Sequence, residues 1–291
     1  MRDFYAPTGA VPLDQADGLR RLFAAGTAPG LRVLPLVANP HVAFSGIVLD
    51  RLAAQLALQG RQVLVVDAGG QSPQPGEMAW VELSMCVERV APNVAYLPAR
   101  GLPLAFVDTR GSAAHLLQAL AEAVPEADVV LLHAEASDLA RVLGRQAARP
   151  LLLGADHTES IKHAYAGAKL LARRCGLMTF DLLLATAMQC PRGAAIAGSV
   201  ADCLDGFIGA LLHRWAFVDP AATPADPGDA SGQGDTPLHQ LLAAQLALEG
   251  GPPAGPGSAL PARPPAPAPV PATVAAPRAA RHTTQNMNRQ A

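Results

Sequence analysis

One stretch limits the folds open to this chain more than any other. Residues 33–68 read VLPLVANPHVAFSGIVLDRLAAQLALQGRQVLVVDA. The apolar run over 31–37 predicts a buried strand. Over 45–59, Ile47, Val48, Leu52, Leu56 and Leu58 recur near helical spacing and Gly60 follows, so a helix that ends at that glycine is expected. Residues 62–67, QVLVVD, predict a second buried strand. Two apolar strands joined through a helix pair in parallel, with a right-handed crossover.

The same alternation continues along the chain. Strands are expected at 94–98, 128–132, 150–153, 180–187 and 214–218. Helices are expected at 77–90, 112–124, 137–146, 158–174 and 193–212. Strands apolar on both faces, alternating with helices, specify an α/β fold: a doubly wound, mostly parallel sheet covered by helices on both sides.

The flanks differ. Residues 1–30 form a leader ending in LDQADGLRRLFAAG (13–26), where Asp14 is a good N-cap. There Leu19, Leu22 and Phe23 make a short apolar stripe beside Arg20 and Arg21. Four segments follow from this: the leader at 1–30, the α/β domain at 31–220, a linker with one amphipathic helix at 221–250, and a tail at 251–291. Residues 238–249 carry Leu238, Leu241, Leu242 and Leu246 on one side. Their polar side offers His239, glutamines and Glu249 rather than a basic face, so packing on the domain is expected over membrane binding. The tail is rich in proline and alanine, carries arginines and no acid, and is expected to be disordered.

Bulk chemistry narrows the function classes. With 291 residues and a net charge of −2, the chain has room for a sizeable core and no general attraction to nucleic acid or an anionic membrane. No window reaches the apolar length of a membrane span, and the stretch MRDFYAPTGA holds no apolar core of signal-peptide length, so a cytoplasmic location is expected. Cys86, Cys175, Cys190 and Cys203 form no CxxC pair and are expected to be small buried residues rather than metal ligands or disulfides. His115, His157 and His163 lie on separate elements and predict no metal site. Ser45, His41 and Asp67 have the residue types of a nucleophilic triad, but Ser45 lies outside any GxSxG turn.

The unit at 33–68 has the shape that in many proteins cradles a nucleotide phosphate. With the segment DQADGLR (14–20) and TESIKHAYAGAKLLARRCGLMTFDLLL (158–184), the chain resembles the MinD/ParA group of P-loop ATPases. Within that group it is most similar to the FlhG family of MinD-like regulators of flagellar number and placement. The resemblance extends over about 13–220. It implies that the DQAxxLR segment binds and stimulates an FlhF-like GTPase of the signal-recognition-particle type. Asp14, Gln15, Ala16, Leu19, Arg20 and Leu22 would be the partner-binding residues. It also places the family's phosphate loop, xGKGGxGK[TS], at ANPHVAFSG (38–46).

Asn39, Pro40, His41, Ser45 and Gly46 mark that loop as degenerate. Pro40 stands at the first lysine, Ser45 at the phosphate-touching lysine, and Gly46 at the Mg²⁺-binding Thr/Ser. His41, Val42 and Phe44 stand at glycine positions, where their side chains would occupy phosphate space. The chain's lysines, Lys162 and Lys169, lie elsewhere. His133 follows the strand that should end in the magnesium-linked Asp, whereas Asp67 keeps the acidic position of the second strand. The expectation is a pseudo-ATPase scaffold with no catalytic residues, no metal and no cofactor, ATP·Mg²⁺ included. Its partner would be the FlhF-like GTPase, with an ATP-competent paralogue or flagellar basal-body components as further contacts, and recruitment to the cell pole. No nucleic acid and weak or absent membrane association are expected. The alternatives are a weak ATPase of the same family using an unusual loop, and a MinD-like structural module of another polar or secretion assembly.

Overall fold

The computed structural model describes residues 31–222 and 236–248. Eight strands form one sheet: β1 Arg32–Val37, β2 Val63–Ala68, β3 Glu88–Ala91, β4 Val94–Pro98, β5 Val129–Ala134, β6 Leu151–Gly154, β7 Thr179–Ala185 and β8 Leu211–Val218. Their spatial order is β3-β4-β2-β5-β1-β6-β7-β8. Every neighbouring pair is parallel except β3 with β4.

The described helices are α1 Ser45–Leu58, α2 Leu102–Ala105, α3 His115–Ala123, α4 Ala136–Leu143, α5 Thr158–Cys175, α6 Gly193–Ile208 and α7 Pro237–Leu246. They divide between the faces. Helices α2 to α6 bury Leu102, Leu117, Leu139, Leu171 and Leu204 on one side. On the other side α1 and α7 bury Leu49, Leu52, Leu56, Leu241 and Leu242. The all-apolar central strands follow from this double cover: residues of β1, β2 and β5 alternate between two cores, so neither set can be polar. Gly167 lets α5 lie close on β1, since a Cβ there would stand 2.9 Å from Val37 Cγ1.

Two expectations change. No helix forms over 77–90. Two single 3₁₀ turns, Glu77–Trp80 and Leu83–Cys86, give way to β3. Pro92 and Asn93 supply a tight turn that folds β3 back antiparallel onto β4, and Val87 and Val90 favour a strand over a helix. The four cysteines are free, but Cys175 alone is buried; the other three are half-buried.

Helix α7 matches the expected amphipathic helix. Thr236 caps it, its hydroxyl accepting from the His239 amide at 3.2 Å, and Leu241 and Leu242 are fully buried. A knot of polar groups holds it down. Asp181, on β7, is fully buried. Its Oδ2 accepts from Gln245 Nε2 at 2.6 Å and lies 2.9 Å from Arg149 Nε, an ion-pair contact without hydrogen-bond alignment. Its Oδ1 accepts from the Arg214 amide at 2.8 Å and lies 3.2 Å from His213 Nδ1. Arg149 also donates to the Ala244 carbonyl at 2.8 Å, and Gln245 donates to the Arg149 carbonyl at 2.9 Å. Among the described helices none is long and apolar enough to cross a membrane.

Candidate functional site

In an open doubly wound sheet, ligands bind beyond the carboxyl ends of the strands, where the winding direction reverses. Here β1 is the reversal point: the chain leaves it for β2 on one side and later returns to β6 on the other. A cleft of about 310 Å³, counting the solvent at its mouth, opens at that place. Ala38, Asn39, Pro40 and Ser45 line it after β1, residues 69–72 after β2, and His133 and Glu135 at the end of β5.

Asn39 organises the loop after β1. It is buried, and its Nδ2 donates to the Leu153 carbonyl at 2.7 Å, the Ser160 carbonyl at 2.9 Å and Ser160 Oγ at 3.1 Å. Its Oδ1 accepts the His41 amide at 3.1 Å, and its carbonyl accepts the Val42 amide at 3.0 Å. The loop is thus tied to β6 and α5, and two of its amides turn inward to Asn39. Pro40 has no amide hydrogen to offer. Among the described residues the cleft lining contains no Lys or Arg.

The expectation that His41, Val42 and Phe44 fill phosphate space is not met. Val42 is buried in the core beneath α1, while His41 and Phe44 point to solvent. Phe44 holds φ 60° as the N-cap residue of α1 and makes no side-chain cap. The left-handed conformation that a glycine would adopt freely persists here with a phenyl group.

Asp67 and His133 face each other in register on β2 and β5. His133 Nδ1 donates to Asp67 Oδ1 at 2.6 Å. Ser72 Oγ donates to the same oxygen, the Gly69 amide does so at 3.4 Å, and Tyr96 OH donates to Oδ2 at 3.3 Å. Burial by itself would raise the Asp67 carboxyl; the bonds from His133, Ser72 and Gly69 outweigh it and hold the group below the usual carboxylate range. Burial and the neighbouring Asp67 charge push the Tyr96 hydroxyl well above its ordinary value. The bond from Nδ1 leaves His133 Nε2 buried and without a partner among the described residues. Gly69 makes room for the ring: a Cβ there would stand 2.7 Å from His133 Cε1.

Both partners end an apolar strand with a polar residue at the same register, VLVVD and DVVLLH. That matched offset is the sequence signal for this pair.

Two histidines expected to be scattered converge on the loop. The His41 ring centroid lies 6.3 Å from that of His157 and 5.8 Å from that of His163. His157 caps α5: its Nδ1 accepts from the Ser160 amide at 3.4 Å, and its Nε2 donates to the His41 carbonyl at 2.8 Å. Both nitrogens are thus engaged, one in the cap of α5 and one on the loop. Among the described residues no group of three or more His, Cys, Asp or Glu is arranged to hold a metal ion. No contact joins Ser45 to His41 or Asp67 into a triad. Asp14, Gln15, Ala16, Leu19, Arg20 and Leu22 lie outside the described residues, as does the tail.

No protein-family model matches the chain, and no curated protein matches it. Solved structures do. A plasmid partition protein from Borrelia burgdorferi is 8% identical at a TM-score of 0.50, covering 73% of this chain and 98% of that one. Apo McdA of Cyanthece is 14% identical at a TM-score of 0.47, covering 74% and 95%. The MinD cell division protein of Aquifex aeolicus is 11% identical at a TM-score of 0.45, covering 73% and 97%. At these identities the likeness is one of fold. The strand order, the parallel pairing and the helices on both faces give the chain the fold of the MinD/ParA-type P-loop NTPases.

Proposed function

We propose that this chain is an FlhG-like regulator of flagellar biosynthesis and placement, working as a pseudo-ATPase scaffold recruited to the cell pole. Its DQAxxLR segment, through Asp14, Gln15, Ala16, Leu19, Arg20 and Leu22, binds and stimulates an FlhF-like GTPase. The observation that carries the scaffold reading is the cleft lining. Where this fold binds phosphates, the cleft presents Pro40 and Ser45 and, among the described residues, no Lys or Arg, and the His41 and Val42 amides are spent on Asn39. A triphosphate needs convergent amides and cations. Asp67, the acid near the end of β2, is engaged by His133 and Ser72. This donor set does not fit a magnesium nucleotide, and no step of hydrolysis runs through it. Stimulating a GTPase in trans requires a positioned donor and a stabilised catalytic loop, not a nucleotide on the stimulator.

Two measurements test the reading. The full chain raises GTP turnover by the partner, and a Gln15→Ala/Arg20→Ala double variant does not; equal stimulation by the variant overturns the partner assignment. Binding at a hundredfold excess over Kd adds about 2.7 kcal/mol, which at this size raises Tm by about 5–10 °C. Mg²⁺·ATP is expected to leave Tm unmoved, and a saturable rise of that size overturns the scaffold assignment.

A further inference from the structure

The two 3₁₀ turns that replace the expected helix at 77–90 present an unusual surface. Met78, Trp80, Val81 and Met85 are 50%, 56%, 81% and 67% exposed. The inward residues of the same turns, Ala79 and Leu83, are buried in the core. The turns are therefore anchored, with their large apolar groups directed at water. Large apolar groups exposed together on neighbouring anchored turns are candidates for an interaction site.

Its surroundings select the partner. Glu77, Glu82 and Glu88 are exposed around the patch, and none forms an ion pair with a described Lys, Arg or His. Glu82 accepts a hydrogen bond from Ser84. Arg89, which follows Glu88 in the chain, is taken by Glu126 at 2.5 Å. The local field is negative, which disfavours nucleic acid and anionic lipid. An exposed indole flanked by methionines offers flat faces for proline rings. Polyproline II segments arrive already extended and lose little entropy on docking. Carboxylates beside the aromatic add a partner for arginine.

We propose that Met78, Trp80, Val81 and Met85, with Glu77, Glu82 and Glu88, form a docking surface for an extended, proline-rich segment of a partner protein that carries arginine.

The test titrates the full chain with a short synthetic proline–alanine peptide carrying one arginine, following tryptophan fluorescence. Trp215, the chain's other indole, is half-buried and serves as an internal constant. The expected result is a saturable change that Trp80→Ala removes and that Glu82→Gln/Glu88→Gln weakens at least fivefold at low salt. Val81→Ser, at the most exposed site, weakens it too, and all variants keep the wild-type melting temperature. The proposal is overturned if no saturable change occurs, if Trp80→Ala or Val81→Ser binds like wild type, or if the same peptide with glutamate in place of arginine binds equally well.

Discussion

Among the described residues two aspartates are buried, and they are treated in opposite ways. Asp181 sits under α7, and all its partners but one belong to permanent structure: a guanidinium, a glutamine amide and a backbone N–H. The exception is His213, a third exposed. Asp67 sits at the carboxyl ends of the strands, held by an imidazole, a hydroxyl and a phenol, and beside it is a ring nitrogen with no partner among the described residues. The first network joins residues 149, 181 and 245 and closes the fold. The second joins neighbouring strand ends at the edge of a cleft. Buried charge serves closure in one place; in the other it fills a position where this fold elsewhere meets a ligand.

The largest effect is expected at the closing network. Asp181→Ala leaves Arg149 buried without its counter-charge, a change that costs about 3–5 kcal/mol. Urea denaturation followed by circular dichroism measures it. A loss below about 1 kcal/mol would mean that Arg149 reaches water when Asp181 is removed, and the contrast between the two aspartates would fall.

A middle-sized effect is expected at the cleft. Gly69→Ala places a methyl group 2.7 Å from His133 Cε1, so the ring must leave Asp67. Overpacking of this kind costs about 1–3 kcal/mol. Acid sharpens the result. The folded-state pKa of Asp67 lies below the ordinary carboxylate value. Its contribution is therefore complete above the unfolded value of about 3.9 and is lost as pH falls through the lower folded value. The stability difference between wild type and Asp67→Asn should stay level from pH 7 to about pH 4 and shrink below that. A difference that instead grows toward low pH would mean that Asp67 is folded in its protonated form.

The two regions were not equally legible in the sequence. The sheet was: apolar strands alternating with helical periodicity leave few arrangements, and β1, α1 and β2 fall where periodicity puts them. The cleft was legible by content, since the absence of lysine and the presence of Pro40 are sequence facts. Its geometry was not. Val42 reads as an obstruction in the loop yet turns into the core, because a loop's side-chain directions depend on what lies beneath it. Asp181 gave no signal, since an acid within FDLLLA reads as an interruption until Arg149 and Gln245 close on it from distant positions. The segment 77–90 misled because Ala79 and Leu83 share helical spacing, whereas the hairpin turn at Pro92 and Asn93 dictates the outcome.

The smallest expected effect has the opposite sign and lies at the boundary of the cleft. Phe44 is exposed and holds φ 60°, a conformation that costs a residue with a Cβ about 1–2 kcal/mol. Its side chain returns little, since it is 69% exposed and makes no cap. Phe44→Gly removes the strain but gives the unfolded chain more freedom, which offsets part of the gain. The net is a stabilisation of about 0.5 kcal/mol, read from a urea midpoint that rises with no change in slope. If the variant is instead destabilised by 1 kcal/mol or more, the phenyl group makes contacts that its exposure hides, and the loop is held by more than Asn39 and His157. If it is stabilised and Mg²⁺·ATP leaves its Tm unmoved, a glycine at position 44 does not by itself make a phosphate cradle.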